Sequence, residues 1–370
     1  MFVKGCSSFI IAGLLPEISK TIGESIAVTG QGITAFSLAY LISAPLFSMI
    51  QSLKSEKAVV QLALVVLILG NGLTALSENL LLFLTGRVLA GIGAGIYTPS
   101  CVAITMKFTD PSKKGRALSY ILAANSAGLV FGIPLGLHLS TSYNWQTTMA
   151  YIITLTFIAL LGLSFQKIQV KTQETNSAFS ERFRLLADHR VLSVIGVTCL
   201  IAVASLGLHS YVAPLQKGTP NSLAAILFAW GLGGFLGSSF VGYFIDLTKR
   251  PQLIMTVLLI GMCLTFLVIP QAKGLSYLGV LPFLIWGMLG WAITTPQQHT
   301  LFQLNEEQGK LLTALNSSAL GLGGALGTAG GGSLIAYGVE ADSLPLFAAG
   351  VLLVALVFQV LFASKIESSN

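Results

Sequence analysis

The sequence predicts an all-α membrane protein of twelve transmembrane helices in two pseudo-symmetric six-helix bundles. Scarce charge, twelve apolar runs and three features repeated at one offset carry that expectation. Only 9% of the 370 residues are charged and 54% are hydrophobic, whereas a soluble domain carries roughly 25% charged residues. A surface so poor in charge must face lipid over most of its area.

A hydrocarbon core of ~30 Å needs about 20 apolar residues of helix per crossing. Such runs lie near 2–16, 26–51, 58–77, 79–106, 115–139, 147–165, 191–214, 222–246, 252–270, 275–297, 310–337 and 344–364. The short alternating segments of a barrel are not found. The first run is too short: its fifteen residues rise only about 22 Å as helix. The expectation is therefore a longer first helix, completed by upstream coding sequence or by local thinning of the bilayer. Lys4 ahead of an apolar stretch resembles a secretory leader, but no small-residue cleavage site follows, so the stretch reads as the first span.

Orientation follows from the basic residues. With both termini cytoplasmic, fifteen of them fall in inside segments, including Lys54, Lys57, Lys113, Lys114, Arg116, Arg182, Lys249 and Arg250. Only Lys20, Lys217 and Lys273 fall outside, a positive-inside bias. The net charge of +6 then reflects contact with anionic lipid headgroups, and no basic face of a soluble domain suggests a nucleic-acid partner. Cys6, Cys101, Cys199 and Cys263 lie singly in four different runs. They read as packing residues rather than a zinc site or a disulfide framework.

The polar stretch 166–190 divides the chain into a bundle of residues 1–165, a cytoplasmic linker and a bundle of residues 191–370. Phe179, Phe183, Leu185 and Leu186 form one apolar side if the linker is a surface helix; a solvated linker is the other reading. The bundles carry matching features. Ser48–Ser52 and Gly242–Asp246 end the second and eighth runs at an offset of 194 residues. Gly128, Gly132 and Gly136 match Gly323, Gly327 and Gly331 at 195, and Thr98-Pro99 matches Thr295-Pro296 at 197. Repeats around a central site are how many secondary transporters are built.

Several motifs, met in order over essentially the whole chain, resemble the major facilitator superfamily, in its twelve-helix drug:proton antiporter and sugar-efflux branch. The first run ends Gly-Leu-Leu-Pro-Glu-Ile at 13–18. The fourth holds Arg87-Val-Leu-Ala-Gly91, with Ala90 where the family has Gln, and the loop 110–118 after it is also typical. The fifth holds Gly128, Gly132, Pro134 and Gly136, similar to the motif associated with antiporters, and Asn144-Trp145 follows it. Two departures stand out. The signature loop after the second run has Ser48 and Ser52 in place of Gly and Asp, although its counterpart keeps Gly242 and Asp246 ahead of Lys249 and Arg250. The first run has Ser8 where the branch often has Glu.

The resemblance implies export of a small amphipathic or sugar-like solute by alternating access, with protons as coupling ion. The setting it implies is the bacterial cytoplasmic (inner) membrane, with the protein working as a monomer. An importer of the same fold and a transporter-like sensor that moves nothing are the rival readings. No cofactor or metal is expected, and no nucleophile–base set suggests an enzyme. The resemblance also implies a cytoplasmic gate in which Asp246 meets the start of the fifth helix near Gly115 and Arg116. Ser52, its counterpart, would meet the start of the eleventh near Leu311 without bringing a charge to the helix N-terminus.

Arg87 is the only arginine deep in a run, where its charge costs at least ~2.5–3.5 kcal/mol unless it faces a polar cavity or a partner. It reads either as a structural arginine bonding backbone carbonyls or, as its motif favours, as a coupling residue. Lys4 lies near the inside end of its run and is expected to snorkel to the interface. No carboxylate lies near mid-span. His209, of the residue type that normally titrates near physiological pH, is thus a candidate proton site, with a hydrogen-bonded packing histidine as the alternative. His138 is a weaker candidate.

Tyr40, Asn125, Tyr211, Trp286 and Trp291 are pocket candidates, each open to a packing reading. The row Gly321–Gly332 resembles a nucleotide loop only on paper, since neither a preceding strand nor a GxxxxGK[ST] motif is present. Glycines every four residues instead make a smooth stripe for close helix contact.

Overall fold

A computed structural model describes residues 1–50, 56–108, 121, 124–166, 188–216, 222–304 and 309–367. The chain divides into two compact units, Met1–Thr175 and Asn176–Asn370. Ser52, Gly115, Arg116 and nearly all of the linker lie outside the described residues, as do the side chains of Asp246 and Leu311.

Unit 1 contains α1 (Phe2–Ile22), α2 (Ile26–Ile50), α3 (Glu56–Ala75) and α4 (Leu80–Phe108). A π-helical turn, Gly128–Gly132, leads into α5 (Ile133–Ser142), and α6 (Trp145–Phe165) follows. Unit 2 contains α7 (His189–Ser210), α8 (Leu223–Thr248) and α9 (Pro251–Ala272). After these come α10 (Leu281–Ala292), α11 (Thr294–Leu304), α12 (Gly309–Ala336) and α13 (Leu344–Glu367). The tenth apolar run is therefore two helices, α10 and α11. Among the described residues, eleven segments are long and apolar enough to cross a membrane. The fifth run of the sequence is described at 121 and from 124 onward, and is helical from 124 to Ser142.

Two expectations change. The first helix is not short: α1 continues through Pro16 for 21 residues, about 31 Å at 1.5 Å per residue. The polar residues after Pro16, which ended the apolar run, are absorbed by bonds to other helices. Ser140 of α5 donates to the Glu17 carboxylate, and the Trp145 indole donates to Thr21 at 2.9 Å. Gly23, at φ 73, then ends α1 in the left-handed cap that glycine adopts without strain.

The second change is the break in the tenth run. Pro296 has no N–H to give, and its ring crowds the carbonyl four residues back, at Ala292. The helix stops at Ala292 and restarts at Thr294. The matching Pro99 lies inside an unbroken α4, so the two Thr-Pro pairs are alike in sequence and differ in structure.

The duplication shows in which helices pack together. In unit 1, α1 packs on the fifth helix, α2 on α4, and α3 on α4 and α6. In unit 2, α7 packs on α12, α8 on α10, and α9 on α10 and α13. The glycine stripes make close backbone contacts. A Cβ on Gly128 would lie 2.2 Å from the Phe2 carbonyl oxygen of α1, and one on Gly323 would lie 2.3 Å from that of Cys199 in α7. With lipid outside, association rests on such close packing rather than on hydrophobic burial. Apolar side chains such as Leu81, Phe165, Val257 and Leu264 are exposed, as a lipid-facing surface requires. Tyr143, Tyr277 and Tyr337 are exposed in the connections after the fifth, ninth and eleventh runs.

Candidate functional site

In unit 1, Arg87 projects from α4 and is completely buried. Its guanidinium carbon lies 4.5 Å from the centroid of the Phe36 ring on α2. Nε, Nη1 and Nη2 have no hydrogen-bond partner among the described residues, backbone carbonyls included. A cation–π contact is worth about 0.5–2 kcal/mol and leaves the N–H groups unmet. Phe36 stacks with Tyr40 at 6.5 Å, and Lys4 places its Nζ 5.4 Å from the Tyr40 ring centroid. Lys4 thus turns onto α2, where a ring face one helix away offers it a partner.

Asn125 precedes the π-helical turn, with its backbone carbonyl against Gly5 of α1; its side-chain Oδ1 is buried without a partner. Asn71 of α3, fully buried, accepts from Ser7 at 3.1 Å, and its Nδ2 has no partner. Sequence reasoning passed over Asn71, although it is the one amide in the apolar stretch Leu62–Ala75 and carried that signal.

In unit 2, His209 sits at the end of α7 against Trp230 of α8, with ring centroids 4.3 Å apart. Trp230 also meets Trp286 at 6.1 Å and Trp291 at 6.0 Å. Three residues singled out from the sequence (His209, Trp286 and Trp291) therefore converge on Trp230, which was not. Trp286 is fully buried, donates to Ser205 Oγ at 2.7 Å and meets Phe266 edge-on. Tyr211 is fully buried, donating to the Thr328 carbonyl at 2.8 Å. Buried with satisfied polar atoms, Tyr211 and Trp286 anchor the α7–α12 and α7–α10 packing. Tyr40 and Trp291 remain part-exposed. His138 is exposed.

Unit 2 also holds an amide cluster that sequence reasoning missed. Gln359 donates to Gln252 at 2.7 Å, and Gln252 donates to Thr300 at 2.9 Å. Gln297 beside them is buried with neither amide atom bonded, and together they line a small cavity. At the expected gate, Lys249 adopts φ 52 and closes α8, its N–H bonding the Ile245 carbonyl, while Arg250 leads directly into α9. Both are exposed. Among the described residues no cluster of side chains suits a metal ion.

Comparison with known proteins matches this arrangement. The sequence model of the Major Facilitator Superfamily fits residues 1–328. The chain is 26% identical to an uncharacterized MFS-type transporter, YbcL, of Bacillus subtilis, over 98% of this chain and 94% of that protein. It is 24% identical to the inner membrane transport protein YdhP of Escherichia coli K12, with the same two coverages. A "Probable sugar efflux transporter" of Mannheimia succiniciproducens is 24% identical over 90% of this chain and 83% of its own length. Among solved structures, the nucleoside transporter NupG superposes with a TM-score of 0.79 over 99% of this chain and 97% of that one, at 14% identity. Its likeness is one of fold. A helical chain with duplicated packing in two units, matched over nearly all its length by one family, is a multi-pass membrane protein that belongs to the major facilitator superfamily.

Proposed function

We propose that this protein is a secondary active transporter that exports a small amphipathic or sugar-like solute from the cytoplasm in exchange for protons, by alternating access. The observation that carries the reading is Arg87: a buried cation without a hydrogen-bond partner, placed where the family has its coupling arginine. An intramembrane charge of this kind persists because it serves function. The stripe of Gly128, Gly132 and Gly136 with Pro134, packed onto α1, supports antiport, and the sugar-efflux relative supports the solute class. The protein works as a monomer in the inner membrane with both termini in the cytoplasm, and His209 is the proton-site candidate of unit 2.

Inverted and right-side-out vesicles test the direction. An imposed proton gradient drives accumulation of labelled sugars or amphipathic dyes into inverted vesicles. Accumulation in right-side-out vesicles instead identifies an importer, and purified protein that moves no solute under any gradient identifies a sensor.

The cytoplasmic gate is unequal between the units. Asp246 supplies a carboxylate, and Ser52 at the matching place supplies a hydroxyl without charge. A carboxylate at a helix N-terminus is worth about 0.3–1 kcal/mol more. Asp246→Asn therefore cuts transport strongly and raises cytoplasmic accessibility of inner-gate cysteines, whereas Ser52→Ala changes either quantity little. Ser52→Asp lowers that accessibility. Equal effects at the two positions remove the asymmetry.

A further inference from the structure

Among its described residues, the interior of unit 1 has hydrogen-bond donors without acceptors. Gly70 of α3 packs so tightly on α4 that an added Cβ would lie 2.2 Å from the Ala90 nitrogen and 2.9 Å from the Gly86 carbonyl oxygen. Gly93 of α4 meets Ala63 and Leu67 in the same way, so the two helices run antiparallel. Asn71 and Arg87 each follow the contact line by one residue. On two antiparallel right-handed helices that step turns both side chains to the same side of the pair, at the same depth.

On that side both residues are fully buried. Ser7 of α1 donates to Asn71 Oδ1, and the ring of Phe36 on α2 flanks Arg87. The three guanidinium nitrogens of Arg87 and the Nδ2 of Asn71 have no partner. A guanidinium and an amide, both rich in N–H groups, therefore share one side of the α3–α4 pair, where nothing among the described residues accepts from them. Of the acidic side chains described in this unit, Glu17 is held by Ser140, and Glu24 and Glu78 are exposed. No carboxylate among the described residues neutralises Arg87.

We propose that unit 1 binds a small monovalent anion, such as chloride, between Arg87 and Asn71. The anion supplies both the missing acceptor and the missing counter-charge. Water would satisfy some N–H groups but would bring no charge, and in a medium of low dielectric it is the uncompensated charge that costs most. Asn71 Nδ2 donates from one side and the guanidinium fork from the other, while Ser7 holds the Asn71 amide in that orientation. The site goes beyond the transport reading and depends on neither direction nor solute.

Thermal unfolding of the purified full chain in detergent tests the site, with chloride replaced by gluconate at constant sodium and ionic strength. Chloride raises the melting temperature saturably, by about 3 °C or more. Asn71→Leu shifts the half-saturating chloride concentration upward at least about tenfold, the factor expected from losing a charge-assisted hydrogen bond. Asn71→Asp builds in a counter-ion, so this variant melts equally high in both salts and no longer responds to chloride. In crystals soaked with bromide, an anomalous scattering peak lies within hydrogen-bond reach of Arg87 and Asn71. Equal melting temperatures of the unsubstituted protein in both salts overturn the proposal. So does a chloride response that Asn71→Asp leaves unchanged, or an absent bromide peak at saturating bromide.

Discussion

Arg87→Ala reduces transport to background while the protein stays in the membrane at near-normal abundance. Two terms of opposite sign act on stability in chloride-free buffer. Removing a buried charge that no described side chain neutralises relieves a cost of at least ~2.5–3.5 kcal/mol, and truncation to alanine opens a cavity worth roughly 2–5 kcal/mol. They nearly offset, so loss of transport cannot be assigned to loss of fold. Arg87→Met separates them further, because methionine fills the space without charge. This variant is at least as stable as the parent protein and equally inactive. Solute flux in reconstituted liposomes, set beside the height of the monodisperse peak in size-exclusion chromatography, reads both quantities. Normal flux in either variant shows that the coupling role belongs elsewhere.

Gly327→Leu prevents unit 2 from assembling. A Cβ at Gly327 would stand 2.2 Å from the Val203 carbonyl oxygen and 2.9 Å from the Gly207 Cα, and a Cβ at Gly207 would stand 2.7 Å from the backbone of Gly327. Backbone meets backbone there, so relief requires parting α7 from α12. Overpacking a core that can adjust costs about 1–3 kcal/mol; parting two helices costs more, and abundance falls severely.

Gly132 in unit 1 is a contrasting case. Its added Cβ would lie 2.1 Å from the Cys6 Sγ, the end of a side chain. Gly132→Ala is therefore harmful alone and is rescued by Cys6→Ala, whereas Gly132→Leu exceeds what that deletion can free and blocks the contact of α1 with the fifth helix. Melting temperature and peak height of the single and double variants measure this. A monodisperse Gly327→Leu at parental abundance would show that the helices part at little cost.

The helical class and the order of the apolar spans were legible because hydropathy is a property of short stretches of chain. The glycine stripes were legible too, as a period of four on a helix reads directly as a contact face. Their partners were not: that Gly128 meets Phe2 and Gly323 meets Cys199 depends on which helices lie side by side. α1 shows the limit of hydropathy, since Glu17 and Thr21 ended the apolar run while their bonds to Ser140 and Trp145 let the helix continue.

At the candidate site, the sequence by itself singled out Arg87, His209, Trp286 and Trp291 by residue type and motif. Only the tertiary structure decided what surrounds them. It put Phe36 and, among the described residues, no acceptor beside Arg87, turned Lys4 onto Tyr40, gathered the aromatic rings on Trp230 and buried Tyr211 and Trp286 in the packing. It also brought Asn71 to the side of the α3–α4 pair that Arg87 occupies. The physical reason is one of range. Whether a segment enters the membrane is summed along roughly twenty consecutive residues. Whether a buried polar atom is satisfied depends on atoms within about 3 Å, supplied here by helices tens of residues away in the chain.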